Sequence, residues 1–142
     1  MGDKPMKFLI LFVSIFFAMQ ASAAAVKNSG FAGISLTSVP VTIANGATAS
    51  SLIKLAGFSL VGIQTPAAFT GTALTFTSCD SAGSNCVPIK VTTSGTALSQ
   101  TVTTSSYYAI DPVAFYGVQY LKINSGTSEG AARVLNCSLK GL

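Results

Sequence analysis

The sequence predicts an all-β fold: a single jelly-roll-like antiparallel β-sandwich of about eight or nine strands, preceded by a signal helix. Three observations point there. Beyond residue 23 the chain is rich in Val, Ile, Thr, Phe and Tyr, which suit a pleated, half-buried surface. Gly, Ser and Asn interrupt it roughly every 8–12 residues, a spacing typical of sandwiches and barrels. Within the runs, apolar and polar residues alternate. Leu74 and Phe76 share one face and Thr75 and Thr77 the other; Leu135, Cys137 and Leu139 oppose Asn136 and Ser138. Strands with one apolar and one polar face belong to antiparallel sheets solvated on one side.

The first element is the signal segment. Phe8 to Met19 is a twelve-residue apolar run, with Lys4 and Lys7 before it and Ala21-Ser22-Ala23 after it. A basic start, an apolar centre and a small-x-small site are the three parts of a secretory signal. Met6-Lys7-Phe8 offers an alternative start. As a membrane anchor the run is short: twelve helical residues reach about 18 Å, against a hydrocarbon core of about 30 Å. Residues 1–23 are therefore expected to be a cleaved signal peptide, with no stable membrane span after cleavage.

Residues 24–38 have weak periodicity and are expected to form an extended arm. The sandwich domain is expected over 39–142. Its strands are expected near 39–44, 52–55, 58–64, 72–79, 87–93, 97–104, 107–110, 118–124 and 133–140. Asn45-Gly46, Ser94-Gly95 and Asn124-Ser125-Gly126 carry turn chemistry between them.

One phrase occurs twice. TPAAFTG at 65–71 and DPVAFYG at 111–117 share a polar residue, then Pro-x-Ala-Phe-x-Gly. Thr65 and Asp111 suit a helix N-cap, since a side-chain oxygen can accept an amide two residues on. Pro66 and Pro112 follow where a missing N–H is harmless. Gly71 and Gly117 close each unit where a left-handed conformation is cheap. Each phrase should be one helical turn between two strands, with Phe69 and Phe115 plugged into the core. Leu74, Phe76 and Ser78 after the first corner match Leu121, Ile123 and Ser125 after the second. Two equivalent corners of a pseudo-symmetric sandwich are expected, and these eight corner residues are expected to be scaffold.

Charge is sparse. After residue 23 the positives are Lys27, Lys54, Lys90, Lys122, Lys140 and Arg133, against Asp80, Asp111 and Glu129. They are scattered, whereas a nucleic-acid footprint needs a basic patch or stripe. No nucleic-acid partner is expected. The chain has no histidine, so the commonest general base and the Ser-His-Asp arrangement are absent. Asp111 reads as a cap, Asp80 lies in a hairpin loop, and Glu129 sits in a Gly-rich turn. No catalytic residue, metal or cofactor is expected.

Cys79 and Cys86 flank a short loop between two expected strands. In an exported protein that layout reads as a disulfide. Cys137 is then left over on an apolar face, as a buried thiol. Intermolecular pairing of Cys137, or a bond from it to Cys79 or Cys86, are the alternatives.

The stretch from Val41 to Leu139 resembles a family of small tailed-phage virion structural proteins, found beside head and neck genes. The residues that carry the likeness are Leu60-Val61-Gly62-Ile63-Gln64-x-Pro66 and the run from Ile110 to Gly126, IDPVAFYGVQYLKINSG. More widely, the chain is similar to discoidin-like, galactose-binding sandwiches. The resemblance implies a fold and carries over no catalytic residue. The signal and the hairpin disulfide depart from such virion proteins, which assemble in the cytoplasm. The expected function is an exported, non-enzymatic structural or adhesive subunit on a virion or cell surface, reached by export through the bacterial membrane. Its expected partners are itself or other structural proteins, and surface glycans. The alternative is a secreted carbohydrate-binding module with a site at the loop ends, using Tyr107, Tyr108, Tyr116 and Tyr120 as contacts.

Overall fold

The computed structural model describes residues 35–92 and 94–141. The signal segment, and the arm up to residue 34, lie outside the described residues. Among those described, none belongs to a helix long and apolar enough to cross a membrane.

The described chain is almost entirely β. Its strands are β1 (Leu36–Ile43), β2 (Ile53–Lys54), β3 (Phe58–Gln64), β4 (Ala73–Cys79), β5 (Cys86–Pro88), β6 (Ser99–Thr101), β7 (Tyr107–Ala109), β8 (Tyr120–Ser125) and β9 (Arg133–Gly141). A turn of 3-10 helix, Pro112–Phe115, joins β7 to β8. One sheet has the order β1-β9-β3-β7; the other is β2-β8-β4-β5, with β6 also pairing β4. Every pairing is antiparallel. The chain crosses from one sheet to the other at every step except β4 to β5 and β5 to β6. That is the double-sheet plan of a jelly roll.

The alternation seen in the sequence sorts the faces. Leu60 and Ile63 from β3, Leu74 and Phe76 from β4, Leu121 and Ile123 from β8, and Leu135 and Cys137 from β9 meet between the sheets, fully buried. A bulge between Leu60 and Gly62 shifts the register of β3 against β9, so inward positions three apart can both face the core. β1 begins three residues before the expected domain start. Leu36, Thr37 and Ser38 pair with Lys140, Leu139 and Ser138, so the end of the expected arm is strand. β8 likewise runs one residue past the expected strand end, through Ser125, because Asn124 and Ser125 both pair with β4.

The doubled phrase links equivalent strands. The first unit leads from β3 to β4 and the second from β7 to β8. β3 pairs with β7, and β4 with β8, where Phe76 lies opposite Ile123, Leu74 opposite Ser125 and Ser78 opposite Leu121. These are the residues matched in sequence, so a local two-fold runs through the Phe76–Ile123 pair. Phe69 and Phe115 are both buried, and the Phe115 ring meets Phe76 edge-on at 5.2 Å between centroids.

Two edges of the sandwich are closed by proline. In β1 the odd-numbered residues bond β9, so Pro40 faces outward and has no N–H to offer. The next outward residue, Thr42, is covered by Ser51, whose amide donates to the Thr42 carbonyl at 2.8 Å. In β5, Val87 and its alternates bond β4, leaving Pro88 outward. Proline on an exposed edge blocks strand addition by another chain.

Candidate functional site: the groove beside the second corner

Among the described residues, one concavity lies between the free edges of the two sheets. β7 and β5 have three residues each, so the β7 edge of one sheet and the β5–β6 edge of the other stop short of closing. The gap is a groove of about 530 Å3 with Phe76 at its floor. Lys90, Val91 and Gln100 line one wall; Ile110, Val113 and Tyr116 line the other.

The second corner builds that second wall. Asp111 accepts the Val113 amide at 3.0 Å and so caps the 3-10 turn, with Pro112 in its first position. Phe115 points into the core, and Gly117 leaves the turn at φ +82°, where a side chain would be strained. The turn therefore presents Val113 and Tyr116 to solvent, 62% and 55% exposed, beside the groove.

The first corner uses other means. Thr65, expected as a cap, does not cap its own turn. It is buried and continues the β3–β7 ladder, its amide donating to the Ser106 carbonyl at 2.9 Å. Its hydroxyl donates to the Thr103 carbonyl at 2.6 Å and lies 3.1 Å from the Ser106 amide and carbonyl. The Pro66 carbonyl receives both Phe69 and Ser105 amides, and the segment forms a turn rather than a helix. Gly71, expected to be left-handed, is not. A Cβ there would meet the Phe69 ring at 2.9 Å and the Ser125 hydroxyl at 2.5 Å, so the requirement is space.

The residue that fixes the first corner is Glu129, placed by the sequence in a Gly-rich turn and given no role there. No surface of it reaches solvent. Its carboxylate accepts the Thr70 hydroxyl at 2.7 Å, the Thr70 and Gly71 amides at 3.2 Å each, and the Ser125 hydroxyl at 3.2 Å. Arg133 Nε lies 3.4 Å away. Burial pushes its pKa up, but these donors outweigh burial and hold it below the ordinary 4.5. Its backbone bonds Gly46 and Ala47, so one residue ties three loops together. The spacing of Glu129 and Arg133, lone opposite charges four apart in an uncharged stretch, was the available signal.

Asp80 serves the β4–β5 loop. It accepts the Ser84 amide at 2.9 Å, and the Asn85 amide and side chain at 3.3 and 2.7 Å. The Ser84 amide, with the Asn85 side chain next, holds its pKa below 3.8. Cys79 and Cys86 close that loop with a disulfide. Cys137 is buried and free, which excludes its bonding to either, and burial pushes its thiol up to about 12. A thiol held so high is an inert core group.

The four tyrosines do not form one site. Tyr116 lines the groove. Tyr108 turns toward the core, its hydroxyl accepting the Thr103 amide at 2.6 Å. Tyr120, opposite Lys54, belongs to the outer face of the β8 sheet. Tyr107 lies on the outer face of the other sheet, 58% exposed.

No protein-family model matches the chain, and no curated protein matches it in sequence. Its fold is similar to the solved structure of the SPBc2 prophage-derived protein YomS, with a TM-score of 0.50 and 14% identity over 78% of this chain and 97% of that one. At that identity the likeness is one of fold, and the fold is phage-protein-like.

Proposed function

We propose that the protein is an exported, non-enzymatic jelly roll that serves as a structural or adhesive subunit on a virion or cell surface. The observation that carries this reading is how the described carboxylates are engaged. Asp80, Asp111 and Glu129 each accept backbone amides that hold a loop or corner in place. An acid or base for catalysis must be free to take or give a proton at a reacting atom. Here each carboxylate holds the scaffold, and the groove offers aliphatic and aromatic surface with the Gln100 amide and the Lys90 ammonium on one wall. Such a surface suits binding. The phage-like fold and the resemblance to phage virion proteins support the structural half of the reading.

The prolines in β1 and β5 disfavour strand addition at those two edges and leave association to the faces, the groove and the remaining edges. The test is the assembly state of protein secreted with its own signal, measured by sedimentation velocity. A defined oligomer or filament that Val113→Glu or Tyr116→Glu dissolves, with the thermal midpoint unchanged, supports the reading. A strict monomer at high micromolar concentration overturns the structural half.

A further inference from the structure

Tyr107 rests on a glycine. β3 and β7 set Gln64 opposite Tyr107 and Gly62 opposite Ala109. β9 sets Asn136 beside Gln64, and β1 sets Pro40 beside Asn136. Pro40, Asn136, Gln64 and Tyr107 thus form one row across the outer face of the four-stranded sheet. A Cβ at Gly62 would run into the Tyr107 hydroxyl and Cζ, with Cε2 3.0 Å away. The three separations place that Cβ out of the ring plane, above the hydroxyl oxygen. On a strand the Cα–Cβ bond stands roughly perpendicular to the sheet. The phenol therefore lies roughly parallel to the sheet, its hydroxyl end over Gly62 and its opposite face toward solvent.

The surroundings are neutral. Gln64 and Asn136 are exposed, and among the described residues neither side-chain amide bonds a protein group. The adjoining row is Ser38, Ser138, Gly62 and Ala109. On the other side lie Thr42 and Val134. Among the described residues of these strands, Lys140 brings the first charge on this face, two rows from Tyr107.

We propose that this row is a binding platform for a neutral saccharide chain, with a sugar ring stacked on Tyr107 and its hydroxyls bonded by Gln64 and Asn136. A flat aromatic face matches the C–H face of a pyranose. An amide both donates and accepts, as a hydroxyl does. An uncharged row gives no attraction to an acidic polymer, and one dotted with free amides is a poor apolar seat for a second copy of the chain. The site lies on a sheet face, apart from the groove and from the loop ends. It rests on the adhesive half of the proposed function and supplies its ligand class.

The probes are cellohexaose, maltohexaose and the hexamer of N-acetylglucosamine, with hexagalacturonate as the acidic control, titrated calorimetrically into the secreted protein. At least one neutral hexamer should bind with Kd of about 10 μM to 1 mM, the range of a few contacts, and hexagalacturonate should not. Tyr107→Ala should weaken that binding by about tenfold or more. Gln64→Ala and Asn136→Ala should weaken it with an unchanged melting temperature. Tyr107→Trp should preserve it, which separates stacking from a ring needed only to cover Gly62. Binding that survives Tyr107→Ala, binding of the acidic hexamer alone, or no binding of any neutral hexamer at 5 mM, about the weakest affinity worth the name, would each overturn the platform. Self-association abolished by Tyr107→Ala without saccharide binding would also overturn it, and would leave the structural reading standing.

Discussion

The two corners share four of their seven residues and are held by different forces. The second corner is capped from within: Asp111 caps it, Pro112 starts it and left-handed Gly117 ends it, with one outside bond, from the buried Ser59 hydroxyl to the Pro112 carbonyl at 2.7 Å. The first is held from outside. Thr65 bonds the loop before β7, Glu129 reaches from the loop before β9, and Gly71 is small because Ser125 and Phe69 press on it. What the corners share is the aromatic plug. A repeated phrase therefore specifies the repeated burial, while the polar groups around it follow from which neighbours each copy finds. The internally capped corner is also the one that turns Val113 and Tyr116 outward beside the groove.

The largest effects should come from what is shared. Phe69→Ala and Phe115→Ala should each cost about 3–5 kcal/mol, the loss and cavity expected for a buried aromatic. Phe115→Ala should lie at the upper end, since it also removes the edge-on contact with Phe76. Urea denaturation reads this directly. Wild-type stability in either variant would mean that the plugs are not part of the core.

Glu129 should separate the corners next. Glu129→Ala strands several donors in a closed space and should cost about 3 kcal/mol, as for a broken buried ion pair. The pH dependence has a definite sign. Its folded pKa lies below 4.5, so the ionised form is favoured in the fold. That stabilisation is complete above the unfolded value and is lost as pH falls from about 4.5 through the folded pKa. Glu129→Gln should flatten the acid limb of the stability profile. An unchanged acid limb in Glu129→Gln would show that other groups carry it.

Most of the sandwich was legible in the sequence because its signals are local. Alternation placed Leu74, Phe76, Leu135 and Leu139 on inward faces, and Cys79 and Cys86 marked their own hairpin. The pairing of β4 with β8 was foreshadowed by matched residues after each corner. What escaped is non-local. Thr65 looks like a cap until Thr103 and Ser106 are brought beside it. Glu129 has no meaning without Thr70, 59 residues away. Gly62 has no special φ, and only the Tyr107 ring explains it. The tyrosines, adjacent or near in sequence, part because successive strand residues face opposite ways.

The two corner glycines offer a finer comparison. Gly71→Ala forces a Cβ into Phe69 and Ser125 and should cost about 2 kcal/mol, within the range of an overpacked core. Gly117→Ala meets nothing within 4 Å and should cost only its left-handed conformation, about 1 kcal/mol. Thermal melts of the two variants should rank them in that order. The reverse order would mean that backbone conformation, rather than space, governs the first corner as well.

The smallest effect isolates the cap. Asp111 is exposed and its carboxylate serves one described amide, that of Val113. Asp111→Ala should cost about 1 kcal/mol, and Asp111→Asn a few tenths, since an amide oxygen also accepts. At the matching position Thr65→Val keeps the shape and removes the hydroxyl. It leaves the Thr103 carbonyl and the Ser106 amide short of a partner in a buried place, which should cost about 1–3 kcal/mol. The change at Thr65 should therefore exceed the change at Asp111, opposite to the order expected if both were caps. If Asp111→Ala proves the more damaging, the first corner does not depend on its outside supports, and the contrast between the two corners fails at its polar end while surviving at its aromatic one.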